Sequence, residues 1–323
     1  MSSEHVIDNR EGLTRSILAT IAYFDVFSHP LTVQEIFDFN QIPGCTDSAL
    51  RSALLDLSAI GLVHASRGFY FLGDDPRVVD NRIKANGLAH KRMHAAWFYS
   101  SLIARFPFVR AVMISGSLSK GVMDPDDDID FFIITAPGRL WIARVLLTLF
   151  KRIFLLNSHR NFCLNYFVDN EHQAIPDHNI FTATEIGLIL PMYNRELYLE
   201  FLEKNSWYRY FYPNLKPVGT ARDMPAGHMG HLIEKVLSGK TGDRMDDFCL
   251  QVTRQFLARK YRDMDPERFQ SDLETGKSIS KHHPHRQQYR VLEQYQDTLS
   301  ILENRMRDHI HETGLSFEYG KSA

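Results

Sequence analysis

The stretch from Ile114 to Ile134 constrains the fold more than any other part of the chain. It reads Ile-Ser-Gly-Ser-Leu-Ser-Lys-Gly-Val-Met-Asp-Pro-Asp-Asp-Asp-Ile-Asp-Phe-Phe-Ile-Ile. An apolar strand, Val109 to Ile114, ends just before a glycine. Gly116 lets the backbone turn tightly and approach a ligand closely. Ser117 offers a hydroxyl at the start of a short helix, where free N–H groups favour anions. An acidic run follows, and a second apolar strand, Ile129 to Thr135, begins inside it. Asp128 and Asp130 are two residues apart, so on a strand both carboxylates face one way. Two carboxylates opposite a phosphate-friendly turn suit a divalent cation and a nucleoside triphosphate. Mg2+ prefers a few carboxylates plus phosphate oxygens to an all-protein cage. Two such ions about 3.5–4 Å apart would clamp the attacking and leaving oxygens of an in-line displacement.

This segment resembles the signature of the DNA polymerase beta-like nucleotidyltransferase superfamily. That signature is a hydrophobic residue and Gly-Ser, a spacer of about ten residues, then Asp-hydrophobic-Asp-hydrophobic. Here it is Gly116-Ser117, ten residues, then Asp128-Ile129-Asp130-Phe131. Ser119-Lys120-Gly121 is similar to the small-basic-Gly stretch that often follows. The resemblance spans residues 85–215, and the signature itself about 20 of them. It implies that Asp128 and Asp130 bind Mg2+ or Mn2+. It implies that Gly116 and Ser117 hold the triphosphate, with help from Lys120. The implied reaction moves a nucleoside monophosphate from an NTP to an acceptor hydroxyl on a protein, RNA or small molecule.

The superfamily usually draws a third carboxylate from a later strand. The candidate strand here, Phe162 to Val168, carries Asn165 at that place. An amide can ligate a metal through its carbonyl, but it is no general base. Asp169 has the parity of Asn165 and would serve only in a shifted register. Three arrangements stay open: a two-acid enzyme, a displaced third acid, or a catalytically inactive nucleotide-binding module that regulates through its N-terminal segment. A calcium loop is excluded. Asp124, Asp126 and Asp128 fit positions 1, 3 and 5 of an EF-hand, but Ile129 and Thr135 replace the required Gly and Glu.

Around this core the pattern reads α+β. Residues 1–76 form a first unit. Leu13 to Phe27 has helical spacing, and Pro30 stops it. Thr32-Val-Gln-Glu35 is a capping box opening a helix from Val33 to Phe39. Thr46 caps a third helix bearing Leu50, Leu54, Leu57 and Ile60. Leu62 to His64 and Phe69 to Phe71 make a hairpin. Three helices and a hairpin resemble a winged helix, which raises DNA binding. The third helix carries Asp47, Arg51 and Asp56, too little positive charge for phosphates and base edges, so a structural or protein-contacting role is favoured.

Residues 77–215 form the central mixed sheet with helices. A basic linker with Arg77, Arg82, Lys84, Lys91 and Arg92 reads as a solvated face entering a helix from Ala85 to Arg105. Leu140 to Leu156 is a helix with Arg144, Lys151 and Arg152 on one stripe and an apolar remainder for the sheet. Thr182-Ala-Thr-Glu185 reads as another capping box, its helix limited by Pro191. Asn194 to Trp207 continues helically. Pro and Gly between 213 and 230 mark a boundary, and residues 216–323 are polar-helical.

Lysine plus arginine number 37 against 39 acids. That balance argues against a nonspecific nucleic-acid coat. Three separated cysteines and a polar N-terminus fit a reducing, cytoplasmic setting. No segment is apolar enough to span a bilayer. The histidines of 281–286, His90 and His94 lack metal-site spacing. Trp207 to Tyr212 reads as packing.

Overall fold

A computed structural model describes residues 3–156, 160–219, 228–262, 264, 275–281 and 285–313. The N-terminal unit runs α1 (Ser3–Asp25), β1 (Leu31–Thr32), α2 (Val33–Phe39), α3 (Asp47–Ala59), β2 (His64–Ser66) and β3 (Phe69–Phe71). The capping box forms as read: Thr32 Oγ1 accepts from Glu35 N, and Glu35 Oε2 accepts from Thr32 N at 2.8 Å. Thr46 caps α3 through Ala49 N. β1 was not expected. It pairs with β3, giving the order β1-β3-β2. Two residues are too short for a period-2 signal, so only the partner strand reveals them.

A long helix, α4 (Arg77–Ile103), then leads to β4 (Val109–Ser115), α5 (Gly116–Ser119), β5 (Asp130–Thr135), α6 (Leu140–Phe154) and β6 (Cys163–Asp169). After these come α7 (Ile180–Gly187), β7 (Leu190–Tyr193), α8 (Arg195–Lys204) and α9 (Tyr208–Phe211). The described C-terminal elements are α10 (His228–Val236), α11 (Gly239–Lys260), β8 (Ile279–Lys281) and α12 (His285–Thr313). The main sheet has the order β7-β4-β5-β6-β8. β5 and β6 are parallel and the other neighbours antiparallel. The chain is therefore α+β with one mixed and one small antiparallel sheet.

Side-chain alternation gives the sheet two apolar faces. Val112, Ile114, Phe131 and Ile133 join a core with Ala96 and Ile103 of α4 and Leu140 and Leu147 of α6. Met113, Phe132, Ile134 and Val168 face the other way. They belong to a core that continues through α7 and α8 into the N-terminal helices and α12. The N-terminal unit is thus packed into the same apolar cluster as one face of the sheet. Tyr23 of α1 meets Tyr295 of α12 edge to face, with ring centroids 5.7 Å apart.

Several local expectations are corrected. The helix expected from Ala85 starts at Arg77, where Asp75 accepts from the first backbone amide at 3.0 Å. Arg82 in this supposedly solvated stretch is buried. On α6, Arg144 and Lys151 are buried rather than forming an outer charged stripe, while Ile153 and Phe154 are exposed. Arg144 packs over the Phe167 ring at 4.8 Å, a cation–π contact that favours burying the guanidinium. The cap of α7 is Asn179, accepting from Thr182 N, and not Thr182. Pro191 lies in β7, at the sheet edge, where a residue without an N–H is tolerated. Among the described residues, no helix is long and apolar enough to cross a membrane.

Candidate functional site

β4 and β5 pair so that Ser115 lies opposite Asp130. The chain then turns at Gly116, whose φ is +69°. A β-carbon there would stand 2.5 Å from Asp130 Oδ2. The glycine is needed twice, for the left-handed backbone and for the carboxylate lying against it. Ser119 Oγ and Lys120 Nζ both donate to the Gly116 carbonyl, at 2.8 and 3.3 Å, and stiffen the turn. Gly116, Ser117, Lys120, Asp130 and Asn165 line one cavity of about 870 Å3.

Asp128 is placed differently. It precedes β5, is half-buried and is not among the cavity-lining residues. Its charge still acts on Asp130, and on Arg92 and Lys151. Burial is the main reason that the Asp130 carboxyl is pushed up to about 6. A hydrogen bond from the Cys163 thiol opposes this, and the charges of Glu185 and Asp128 add to it.

Asn165 faces the cavity by the alternation of β6, two residues after Cys163, which lies opposite Asp130, and an irregularity follows it. Phe131 pairs with Leu164 but Phe132 pairs with Tyr166, so Asn165 is the extra residue of a β-bulge. A bulge re-aims side chains. Leu164 joins the α4–α6 core, while Asn165 and Tyr166 turn toward the cavity. Tyr166 stacks on Phe132 at 4.8 Å. The bulge also breaks the parity argument for Asp169. That residue pairs with Thr135, at the far end of β5 from Asp130. Its Oδ1 accepts from Glu171 N, His172 N and the His172 ring. Asp169 is a turn former and not a displaced site acid.

Asp124 and Asp127 of the acidic loop also line the cavity, and so does Glu185 of α7, which the sequence reads as part of a capping box. Because the helix begins at Ile180, Glu185 falls past its first turn, three residues after Thr182, and both line the cavity. Glu185 Oε1 accepts from Lys120 Nζ at 2.6 Å. Reading Asn179 as the cap would have found it.

Three other parts of the chain close the cavity. Phe24, Phe27 and His29 come from the N-terminal unit, Lys84 from α4, and Lys281 and Gln288 from the C-terminal elements. Arg82 ties two of these parts together. It donates to Glu35 Oε1 at 2.6 Å, to the Pro30 carbonyl at 3.2 Å and to Asn86 Oδ1 at 2.7 Å. Asn86 in turn donates to the Gly121 carbonyl at 2.9 Å. A polar chain therefore runs from the α2 cap to the loop that follows Gly116. His29 touches Arg82, and its burial, followed by the Arg82 charge, lowers its pKa to about 3. The imidazole is neutral at pH 7.

Among the described residues, no group of three or more His, Cys, Asp or Glu side chains is arranged to hold a metal ion by itself. The donor chemistry still fits Mg2+ or Mn2+. A carboxylate with a second acid acting on it, beside a turn facing a large cavity, suits an ion that shares its coordination with substrate phosphates. The histidines at 282 and 283 lie outside the described residues. No protein-family model matches the chain, and neither the curated proteins nor the solved structures contain a significant match.

Proposed function

We propose that the protein is a metal-dependent nucleotidyltransferase of the polymerase beta-like type, transferring a nucleoside monophosphate from an NTP to an acceptor hydroxyl. The observation that carries this reading is the Asp130 carboxylate lying against the Gly116 turn, with Lys120 beside it, in one cavity. Asp130 would hold Mg2+ or Mn2+, which supplies charge neutralisation on the phosphates, and Asp128, outside the cavity lining, would add its charge or turn in to share the ion. Gly116, Ser117 and Lys120 would bind the triphosphate, and Asn165 would offer its amide to the nucleotide. In the reaction an acceptor hydroxyl oxygen bonds to the α-phosphorus and its proton passes to water, the bond from that phosphorus to the bridging oxygen breaks, and pyrophosphate leaves. The chain's own contribution is positioning and a prearranged field. A cavity of about 870 Å3 has room for a nucleotide and part of an acceptor.

A second reading, a nucleotide-binding module without turnover, is favoured by one observation. The sheet offers Asn165 where a third acid is expected, and Asp169 is committed to a turn. In either reading the N-terminal unit acts as a winged-helix-like wall of the site. DNA binding by it has little support, because Arg51 pairs with Asp47 at 2.7 Å and Arg67 with Asp80 at 2.8 Å.

Incubation with each labelled NTP and Mg2+ or Mn2+, read as pyrophosphate release or self-labelling, tests the proposal. Asp130→Asn is expected to abolish turnover and Asp128→Asn to reduce it. Tight NTP binding without turnover across acceptor classes supports the module. Absence of both binding and turnover refutes both readings.

A further inference from the structure

Exposed apolar side chains gather on α6 and α11, two helices that contribute nothing to the cavity lining. The helices run side by side and in the same direction. Asp246 accepts from the Trp141 and Ile142 amides, and about three turns further along both helices the Arg152 guanidinium lies over the Phe256 ring at 5.8 Å. Leu140, Leu147 and Leu250 bury the inner sides. The outer sides carry Leu149 and Ile153 on α6, Leu156 just past its end, and Phe248, Val252 and Phe256 on α11. Spacings of four residues keep each set on one side of its helix. Ile153 is 66% exposed, Phe248 63% and Leu156 90%, so no described residue covers them. An apolar face of this extent marks an interaction surface.

The charge on this face has one sign. α6 contains no Asp or Glu. The three acids of α11 are all engaged: Asp243 accepts from Arg139 at 2.7 Å, Asp246 from the two α6 amides, and Asp247 pairs with Lys277 at 3.3 Å. Three arginines border the apolar side chains. Arg152 is held over Phe256, Arg244 stands one turn before Phe248, and Arg259 one turn after Phe256. Among the described residues, neither Arg244 nor Arg259 has an acid or a hydrogen-bond partner. We propose that the α6–α11 face docks peripherally on an anionic lipid bilayer, its apolar side chains entering the interface and its arginines meeting the headgroups.

Charge complementarity selects this occupant. Interfacial binding adds buried apolar area to attraction between basic side chains and anionic lipid, and this face offers both. A second copy of the chain would meet the face with the same patch across a two-fold axis, cations against cations with no acid to offset them. A nucleic acid would set exposed leucine, isoleucine and phenylalanine against phosphates. The face also lies behind the sheet from the cavity. α6 packs on the side of Phe131 and Ile133, whereas the cavity opens on the side of Phe132. Docking therefore leaves the candidate site turned away from the bilayer. The inference stands apart from the nucleotide reading.

Co-sedimentation of the full chain with vesicles of phosphatidylcholine, alone or mixed with phosphatidylglycerol, tests the assignment. Binding is expected to the mixed vesicles and to be about 10-fold weaker or more to phosphatidylcholine alone. Arg244→Gln combined with Arg259→Gln is expected to lower partitioning about 30-fold, the effect of two basic contacts with an anionic surface. Ile153→Ser combined with Phe248→Ser is expected to lower it about 10-fold or more. Leu55→Ser removes a leucine of α3 that is 70% exposed, and is expected to change nothing. Circular dichroism establishes that each variant is folded; if the apolar pair is not, the arginine pair, which leaves the apolar side chains in place, carries the comparison. No binding of the unsubstituted chain to the mixed vesicles overturns the proposal, and so does an equal loss in Leu55→Ser and in the apolar pair. Sedimentation velocity without lipid covers the second copy: a dimer that the apolar pair converts to monomer overturns it. Binding to polyglutamate but not to the mixed vesicles assigns the face to an acidic protein and overturns it as well.

Discussion

Replacing Gly116 by alanine tests the geometry on which the site depends. Two costs are separable. The first is backbone strain: a φ of +69° in an L-residue costs roughly 1–2 kcal/mol. The second is the collision of the new methyl with Asp130 Oδ2, at 2.5 Å. Ordinary contact begins near 3.4 Å, so the carboxylate must retreat by about 0.9 Å. Its backbone is pinned opposite Ser115, so the movement falls on the side chain. An off-rotamer side chain costs about 1 kcal/mol, and weakening the bond from Cys163 about 1 more. Gly121→Ala is the internal control. Its φ is +70°, but the nearest atom to a new β-carbon is Asn86 Nδ2 at 3.9 Å. Urea denaturation should therefore place Gly116→Ala about 2 kcal/mol below Gly121→Ala. Asp130→Ala, added to Gly116→Ala, should recover most of that difference, because the colliding atoms are gone. Equal losses at the two glycines, or no recovery in the double variant, would refute the close approach of Asp130 to the turn.

Further outcomes follow from buried charge. Arg82→Met leaves Glu35 without its main cation and should cost about 3 kcal/mol by denaturation, whereas Arg82→Met with Glu35→Gln should cost less, since no unpaired charge remains. Asp246 accepts from the Trp141 and Ile142 amides at 2.8 and 2.9 Å, at the start of α6, and burial holds its carboxyl up to about 6. A raised acid means that the fold favours the protonated form, so stability from this group falls as pH rises from about 4 to about 6. Asp246→Asn should lack that slope. The difference in melting temperature between it and the unsubstituted protein, followed from pH 4 to pH 7, measures the effect, and a constant difference would contradict it.

Local sequence carried a good deal of this structure. The Thr32–Glu35 box, the Thr46 cap, the α6 helix and the β4–turn–β5 unit were all legible, because each depends on residues within one or two turns of one another. The places where reading failed are those set by distant partners. β1 and β8 are short strands that exist through β3 and β6. Arg144 and Lys151 looked like an outer stripe until helix packing buried them. Gly116, Ser117, Lys120 and Asp130, named from the motif and from the resemblance it carries, line one cavity. Glu185 was hidden by a helix start placed one turn too late, and His29 and Arg82 by lying in other segments of the chain.

The sequence by itself determined that a glycine turn and an acidic strand start would come together, since adjacent antiparallel strands joined by so short a connection have few other ways to pair. Tertiary structure decided which acids accompany Asp130. A one-residue bulge in β6 kept Tyr166 on the cavity face beside Asn165 and put Asp169 out of step with both, because a shift of one residue reverses a strand's faces. Packing of α7 and of the N-terminal unit on the same sheet face then brought Glu185 and the Glu35–Arg82 chain to the turn. The Glu35–Arg82 and Lys120–Glu185 contacts join residues 47 and 65 positions apart, where burial and charge pairing act and local propensity has no reach.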